Sequence, residues 1–248
     1  MSMSDPSLFD ALFGAGNHTV VIDGHFVAGP ARLGDTPVAV IGSWDAAAVD
    51  GDLALAIAGE ILRVVEADAG ATPRPIVFVA DTQGQALSRR EELLGLNGAF
   101  AHVARCVDLA RRSGHPTVAL IHGEAVSGGF LAFGMLADRV VALPGAQVRV
   151  MDLRAMSRVT KIEFDRLQTL AQHSPVFAPG ADNYWRMGAV HALWHDAGAD
   201  WRAPLAMALA EAVDAAGHDG RAALGAERGG RTLAAAVARE VANEVAGG

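Results

Sequence analysis

The chain has 248 residues, of which 51% are hydrophobic and 19% are charged, and its formal net charge at pH 7 is −8. This length and apolar content suffice for one globular domain with a sizeable core, and the acidity argues against a general nucleic-acid partner. The apolar stretches are short and interrupted, so we expect no transmembrane helix and no membrane partner. The single cysteine, Cys106, excludes an internal disulfide. Because the first residues also lack the basic and apolar regions of a signal peptide, we expect a cytoplasmic protein.

The amino-terminal part of the chain predicts an arm, three strands and a helix. Residues 1–18 carry little pattern and are predicted to form an arm or a short helix over residues 7–13. Residues 20–29 predict two strands joined by a tight Asp-Gly turn, and residues 38–42 predict a third strand. Apolar residues at helical spacing predict a helix over residues 52–67, which ends at a segment rich in glycine and proline.

Two short apolar runs, residues 76–80 and 118–121, organise the middle of the chain. Both are rich in β-branched residues, which suits buried parallel strands, and each ends in a glycine-bearing loop that leads into a helix. Between them, Ser88 predicts a helix N-cap and Glu91 its capping-box partner. The apolar residues predicted to line the core side of this helix are Leu93, Leu94, Leu96, Phe100, Val103, Val107 and Leu109. Since the helix is long enough for a crossover connection, both loops should emerge at one sheet edge, where α/β proteins usually build sites.

The carboxyl-terminal half predicts mostly helices. A helix over residues 130–136, a strand over 140–143 and a largely helical segment over 155–171 precede a rigid, proline-containing connection at 174–180. Residues 200–248 predict two terminal helices, whose apolar positions are Leu205, Leu209 and Val213, then Leu233, Val237, Val241 and Val245. We predict a single domain over residues 1–248 that ends in these helices.

The two glycine loops can offer bare backbone N–H groups to a ligand. Gly84 in the first loop and the Gly128-Gly129 pair in the second tolerate unusual backbone angles and let a ligand come close. Each loop precedes a helix, whose amino-terminal amides favour negative charge. N–H groups from two such loops that converge on one point would form an oxyanion hole for a thioester enolate. The alternative is that each glycine only makes a tight turn.

Several motifs resemble the crotonase superfamily, in particular its carboxyltransferase branch. In that branch a strand ending in Asp-Thr-Pro-Gly, a long helix and a strand ending in Tyr-Gly-Gly-Ala follow one another. This chain has Asp-Thr-Gln-Gly at residues 81–84 and Ser-Gly-Gly-Phe at residues 127–130. Residues 31–41 are similar to a hairpin of the same enzymes, and residues 143–151 are similar to a segment downstream of their glycine motifs.

Three further segments, residues 83–95, 150–156 and 174–180, resemble the gamma subunits of biotin-independent malonate decarboxylases. The resemblance implies a crotonase-like α/β fold, a spiral of ββα units, and an active site shared with a related beta subunit. It implies decarboxylation of a malonyl thioester on an acyl carrier protein subunit with a CoA-derived, phosphopantetheine-type arm. No cofactor bound directly to this chain and no biotin are implied. Gln83 replaces a common proline and Phe130 a common alanine, which also points away from a carboxybiotin substrate.

The resemblance also implies the site residues. The backbone amides of Gly129 and Phe130, next to that of Gly128, are implied as oxyanion donors. Gly84 and Gln85 are implied to line the other loop with their amides. Backbone N–H groups are the essential parts of such a site, and the chemistry requires neither a metal nor a nucleophile.

Side chains near the second loop suggest other roles. Ser127 is a candidate nucleophile, but its surroundings do not form Gly-x-Ser-x-Gly, and a hydrogen bond within its own turn is the alternative. Asp81 and Glu124 are candidates for a carboxylate acid/base pair, with a turn role as the alternative for Asp81. His122 is placed like Glu124 for proton transfer, but a lone histidine at a strand end is usually only packed or hydrogen-bonded.

A histidine pair raises the question of a metal site. His191 and His195 are four residues apart, the spacing of helical zinc ligands. The segment between them lacks the glutamate of His-Glu-x-x-His, and no third ligand is evident. We therefore predict no metal site.

Basic residues follow both glycine loops in this acidic chain. Arg89 and Arg90 follow the first loop, and Arg154 and Arg158 follow the second. A solvated face is the ordinary interpretation of such charges. The alternative is a local basic patch that binds the phosphates of a pantetheine arm or an acidic carrier protein.

Three functions besides malonyl decarboxylation remain open on the sequence. A biotin-dependent carboxyltransferase subunit would transfer a carboxyl group to or from biotin. A free-standing enoyl-CoA hydratase or isomerase would act without a partner. A non-catalytic scaffold subunit would only complete the partner's site, and its glycine loops would tolerate substitution.

Overall fold

The computed structural model describes residues 5–173, 178–195, 200–215, 217–230 and 232–246. The strands are β1 Val21–Asp23, β2 Phe26–Leu33, β3 Thr36–Ser43, β4 Ala47–Val49, β5 Ile76–Gln85, β6 Thr117–Val126, β7 Arg139–Ala142, β8 Gln147–Arg149 and β9 Ala192–Leu193. The helices are α1 Asp5–Phe13, α2 Gly51–Ala67, α3 Arg89–Leu93, α4 Leu96–Arg112, α5 Ser127–Leu131, α6 Leu153–Thr160, α7 Phe164–His173, α8 Ala181–Arg186, α9 Arg202–Asp214, α10 Arg221–Glu227 and α11 Thr232–Ala246. Within the described residues, no helix has the length and apolar character needed to cross a membrane.

The strands form one mixed sheet with the order β1-β2-β3-β5-β6-β7-β9. β1, β2 and β3 are antiparallel neighbours, whereas β3, β5, β6, β7 and β9 run parallel. β4 pairs with the end of β5, and β8 pairs with the end of β6. The two central strands therefore belong to the large sheet over their first halves and contact short extra strands over their last residues. The α/β prediction is confirmed.

The central strands are buried on both faces, which explains their continuous apolar sequence. Successive side chains of a strand point to opposite faces. In β5, Phe78 lies in the core formed with α2 and α4, together with Ile57. The next residue, Val79, lies in a second core, together with Phe9 of α1 and Leu205 of α9. Parallel strands covered by helices on both faces have this pattern.

The predicted capping box at Ser88 is half correct. Ser88 Oγ accepts the N–H of Glu91 at 3.2 Å, so Ser88 is the N-cap of α3 as predicted. The buried Glu91 carboxylate instead accepts the N–H of Gly51, the first residue of α2, at 3.0 Å. Glu91 therefore satisfies a free amide at the start of a neighbouring helix.

The single helix predicted after Ser88 is wrong, because the chain forms two helices that are separated at Gly95. Gly95 has φ of 76°, a left-handed conformation that ends α3 and begins α4. The predicted apolar face is therefore not continuous across α3 and α4, and Leu109 is exposed within α4 itself. Leu93, Leu94 and Leu109 are exposed by 76%, 69% and 43%, against the prediction. The residues that are buried as predicted are Leu96, Val103 and Val107.

The carboxyl-terminal half contains more breaks than predicted. The segment 155–171 is divided into α6 and α7 near Lys161, whose φ is 62°. The rigid connection predicted at 174–180 falls partly on residues 174–177, outside the described residues. Both terminal helices, α9 and α11, are confirmed, and α10 lies between them. Leu205 and Leu209 are buried in α9, whereas the apolar residues of α11 are exposed.

Candidate active site

The structure brings the two predicted glycine loops together at one edge of the sheet. The sequence predicts that these loops begin at residue 81 and residue 122, but both strands continue, β5 to Gln85 and β6 to Val126. Their ends remain neighbours, because Thr82 of β5 pairs with Ala125 of β6. Helix α5 starts directly after β6 at Ser127, whose φ is 49°. The sharp strand-to-helix turn thus lies beside the end of β5.

The two glycine motifs touch through their backbones. A Cβ atom at Gly129 would lie 2.6 Å from Thr82 Oγ1 and 2.9 Å from the carbonyl carbon of Gly84. Gly84 itself has φ of 107°, and its α-carbon faces Val126 and Ser127. Gly129 is therefore required for the close approach between β5 and α5, which is a stronger requirement than a tight turn, whereas Gly84 is required by its positive φ.

Hydrogen bonds engage two of the predicted donor amides. Thr82 Oγ1 accepts the N–H of Gly84 at 3.0 Å and donates to the carbonyl of Ala47 at 2.7 Å. Gln85 Oε1 accepts the N–H of Gly128 at 3.2 Å. The Gly84 amide is thus engaged within its own turn, whereas the Gly128 amide joins the second turn to the first through the side chain of Gln85.

Helix geometry separates the remaining candidates on α5. Gly129 is the third residue of the helix, and N–H groups up to this position have no intrahelical acceptor. Phe130 is the fourth residue, where regular α-helical geometry offers the carbonyl of Val126. The side chain of Phe130 is buried in the core, where it also explains Gly134, since a Cβ atom there would collide with the ring. Phe130 therefore presents only its backbone to the site.

Ser127 has no catalytic partner of the serine-protease type in the part of the chain that the structure describes. No histidine there is hydrogen-bonded to its hydroxyl. Ser127 has a positive φ, and its Cβ atom lies 3.4 Å from the position that a Cβ atom at Gly84 would take. Ser127 therefore belongs to the turn itself. The missing histidine partner argues against the nucleophile, whereas a positive φ at a strand-to-helix turn also occurs at serine nucleophiles and does not separate the two roles.

Asp81 and Glu124 are neighbours, but their carboxylates do not act on a common group. Asp81 Oδ1 accepts the backbone N–H of Glu124 at 2.9 Å, while the Glu124 side chain forms an ion pair with Arg149 at 2.6 Å. Burial tends to raise the pKa of Asp81, but His122 and the backbone amides of Glu124 and Ala46 outweigh it and lower the pKa. A carboxylate with a lowered pKa is a poor general acid or base near neutral pH.

The structure brings two of the predicted basic residues together. Arg154 and Arg158 line an open groove of about 690 Å³ on α6 and α7, together with Asp152, Leu153, Ser157 and Phe164. The Arg154 guanidinium lies 4.7 Å from the centre of the Phe164 ring. Arg89 and Arg90 belong to α3 and do not line this groove.

The histidine pair has a structural explanation for its first member. His191 Nδ1 accepts the N–H of Val140 at 3.0 Å, which ties the segment before β9 to β7. Burial, with Arg139 and Arg221 nearby, lowers the pKa of His191 to about 4. His191 is therefore neutral at pH 7 and suited to this acceptor role. Among the described residues, no group of three or more histidine, cysteine or acidic side chains could hold a metal ion.

Known proteins with the same motifs and fold assign the chain to a family. Residues 45–245 match the family described as "Malonate decarboxylase gamma subunit". The chain belongs to this family. The crotonase-like fold predicted from the sequence is also confirmed, because the matching solved structures share it.

Individual proteins that are similar to this chain support the assignment. The Malonyl-S-ACP:biotin-protein carboxyltransferase MADD of Malonomonas rubra is 33% identical over 233 residues, and the match covers 84% of this chain and 79% of the relative. A Pseudomonas malonate decarboxylase hetero-tetramer in complex with coenzyme A is similar with a TM-score of 0.81 at 27% identity, covering 96% of this chain and 98% of that chain. The Pseudomonas MdcD-MdcE hetero-dimer is similar with a TM-score of 0.74 at 29% identity, covering 96% and 97%.

Sequence reasoning missed three groups at this edge of the sheet. Thr82 accepts the Gly84 amide within the first turn, the Gln85 side chain joins this turn to the second, and Trp44 stacks on His122 with ring centres 4.5 Å apart. Thr82 lies inside the Asp-Thr-Gln-Gly motif, so the motif itself was the available signal. Trp44 comes from the end of β3, and no local spacing connects it to a histidine far along the chain.

Proposed function

We propose that this chain works with a beta subunit to decarboxylate malonyl-S-acyl carrier protein to the acetyl carrier and CO2. Family membership over residues 45–245 supports the malonate decarboxylase assignment. The backbone contact between Gly129 and Gly84 is the structural observation that carries the proposed site, because it positions a helix amide without an intrahelical acceptor at the end of β5.

The chemistry needs stabilisation of one negative charge. When the bond between the malonyl carboxylate and the α-carbon breaks, its electron pair moves into the thioester and forms an enolate oxyanion. A proton then adds to the α-carbon and gives the acetyl thioester. A preorganised N–H donor aimed at such an oxygen contributes roughly 3–4 kcal/mol to the transition state. We assign this role to the Gly129 amide, with the Gln85 amide as the further candidate; the Phe130 amide ranks behind both because regular helical geometry offers it the Val126 carbonyl.

The proposed partners follow from the family. The Pseudomonas relatives form an MdcD-MdcE hetero-dimer and a hetero-tetramer, and we propose that this chain also pairs with a beta subunit, with the site between the two chains. The structure of the Pseudomonas hetero-tetramer contains coenzyme A. This supports an acyl carrier protein with a CoA-derived arm as the protein to which the malonyl group is attached. The proposal includes no biotin step and no cofactor bound directly to this chain. We place the complex in the cytoplasm.

The groove with Arg154 and Arg158 is our candidate contact for the carrier's phosphates. Reversing both charges, Arg154→Glu with Arg158→Glu, is expected to weaken binding of the malonyl carrier to the complex by about tenfold or more, because a charge-assisted contact is lost and repulsion replaces it. The matched control is Arg112→Glu, which changes an exposed arginine of α4 that pairs with Asp108. Unchanged carrier affinity in the double variant, measured by titration calorimetry, would remove the groove from the proposal. Arg89→Glu with Arg90→Glu is the second pair to test.

A second candidate function is carboxyl transfer to a biotin protein. The named activity of the Malonomonas relative favours it, although that relative is only 33% identical. The buried Phe130 side chain does not line the site, so its size does not argue against biotin. Gln83 is exposed at the end of β5 and is the remaining difference from the carboxyltransferase motif.

Carboxyl-labelled malonyl carrier protein distinguishes these functions. The label is followed with this chain alone, with its beta partner, and with a biotin carrier protein added. We expect labelled CO2 only when both subunits are present and without dependence on biotin. Label on the biotin protein would establish carboxyl transfer, and turnover by this chain alone would place the whole site here. No turnover in any mixture of folded subunits would refute both functions.

A further inference from the structure

A gap in the pairing of β5 and β6 lies directly before the glycine turns. The two strands pair regularly up to Ala80 and Ile121, and the pairing resumes at Thr82 and Ala125. Asp81 alone therefore faces residues 122–124 on β6. At the same place both strands change their outer neighbours, since β6 pairs with β7 before the gap and with β8 after it. The direction of the last residues of β6, and with it the start of α5, is set at this irregularity.

The Asp81 side chain fills the gap. Its Oδ1 accepts the N–H of Glu124 at 2.9 Å, which replaces the missing ladder bond. The backbone N–H of Asp81 donates to the buried Ser43 hydroxyl oxygen at 3.3 Å. A Cβ atom at Gly123 would lie 2.5 Å from the same Oδ1, so the bulge needs a glycine at this position. On the other side, His122 Nδ1 lies 4.0 Å from Oδ2, and its ring stacks on Trp44.

We propose that Asp81 is a positioning residue for the oxyanion turn, by which we mean residues 127–130 at the start of α5. Its carboxylate holds the bulge of β6 so that Gly129 contacts Gly84. The inference rests on the proposed function for its effect on turnover. Asp81 is buried and hydrogen-bonded to backbone, so it acts on the substrate only through the turn. A displacement of about 1 Å at a reacting group is enough to slow catalysis roughly 100-fold.

Two substitutions at Asp81 separate the role of its hydrogen-bond acceptor from the role of its negative charge. Asp81→Ala leaves the Glu124 amide without its acceptor, and we expect kcat of the assembled complex to fall about 10- to 100-fold while KM for the malonyl carrier changes less than about twofold. Asp81→Asn keeps an oxygen acceptor at the same place, so we expect rescue to within a few-fold of the wild-type kcat. Gly123→Ala, which pushes on the same carboxylate, should resemble Asp81→Ala.

Asp68, which follows α2 and contacts the segment just before β5, provides the matched control. It is as buried as Asp81, at 8% exposure, and it accepts the N–H of Arg74 just before β5. The Arg74 guanidinium lowers the pKa of Asp68, while burial opposes it, so both carboxylates are charged at neutral pH. Asp68→Ala should reduce stability and leave kcat of the folded complex unchanged.

Hydrogen exchange of the turn gives a readout that does not depend on activity. In this chain bound to its beta partner, amide exchange at residues 127–130 should become faster in Asp81→Ala but not in Asp68→Ala. Failure of the wild-type complex to release CO2 would refute the proposed function and leave this exchange test intact. A folded Asp81→Ala complex with wild-type kcat and wild-type exchange would overturn the positioning role. Equal loss of kcat in Asp68→Ala would also overturn it.

Discussion

Gly129→Ala is expected to reduce decarboxylation by at least about 100-fold, the loss typical of removing one oxyanion donor. The added Cβ would lie 2.6 Å from Thr82 Oγ1 and 2.9 Å from the backbone of Gly84. Alanine ordinarily favours a helix over glycine by about 1 kcal/mol, but backbone atoms of β5 cannot move aside as a flexible side chain would. The contact must therefore open, and the Gly129 amide moves with it.

Gly98→Ala is the matched control for this substitution. Gly98 lies in α4, and a Cβ atom there would meet no atom within 4 Å. Its replacement should leave turnover unchanged and stability equal or slightly greater. Rates of CO2 release and thermal unfolding of both variants, each with the beta partner, provide the comparison. If folded Gly129→Ala complex kept the wild-type rate, the oxyanion turn would have to lie elsewhere, as a scaffold role for this chain would require.

Asp138→Ala is expected to give the largest loss of stability away from the site, about 3–5 kcal/mol. The Asp138 carboxylate accepts Arg111 Nε at 2.7 Å and both the N–H and the hydroxyl of Thr117, at 2.9 and 2.6 Å. It thereby joins the starts of β6 and β7 to α4. Its removal leaves a partly buried guanidinium and a buried amide without their acceptor, and the strand starts lose their connection.

The control for Asp138 is an exposed ion pair on α4, the helix that carries Arg111. Asp108 pairs with Arg112, and these side chains are 54% and 77% exposed. Asp108→Ala should therefore change the unfolding free energy by less than about 1 kcal/mol. Urea unfolding measures both variants, and turnover of each folded complex should match the wild type. Equal losses in the two variants would show that the buried network contributes no more than a surface pair.

The parts of the fold that follow from local pattern were predictable from the sequence. The runs at 76–80 and 118–121 are apolar on both faces because helices cover both faces of the sheet, and this pattern is visible without coordinates. The Ser88 N-cap and the two terminal helices likewise depend on short-range chemistry. The glycine loops were visible in the sequence, and the resemblance assigned their role; the structure adds the physical reason for Gly129, which is the approach of β5 to α5.

The features that were not predictable depend on contacts between distant segments. Glu91 has the spacing of a capping box, but it serves the start of α2, which the sequence places 40 residues earlier. Gly95 lies inside the predicted single helix, and only its left-handed backbone conformation in the structure shows that one helix ends and another begins there. The bulge of β6 is set by Asp81 from the neighbouring strand, so no periodicity in β6 reveals it.

Hydrogen exchange at the α-carbon of the acetyl thioester tests the enolate site most directly. Because protonation of the enolate is reversible in principle, a complex that stabilises it should also catalyse exchange of the α-hydrogens of acetyl carrier protein in D2O. Mass spectrometry of the acetyl group after incubation with this chain and its beta partner measures the rate. We expect exchange with the wild type and with Gly98→Ala, and at least about 100-fold slower exchange with Gly129→Ala. Equal exchange rates for wild type and a folded Gly129→Ala complex would contradict an enolate held by this turn.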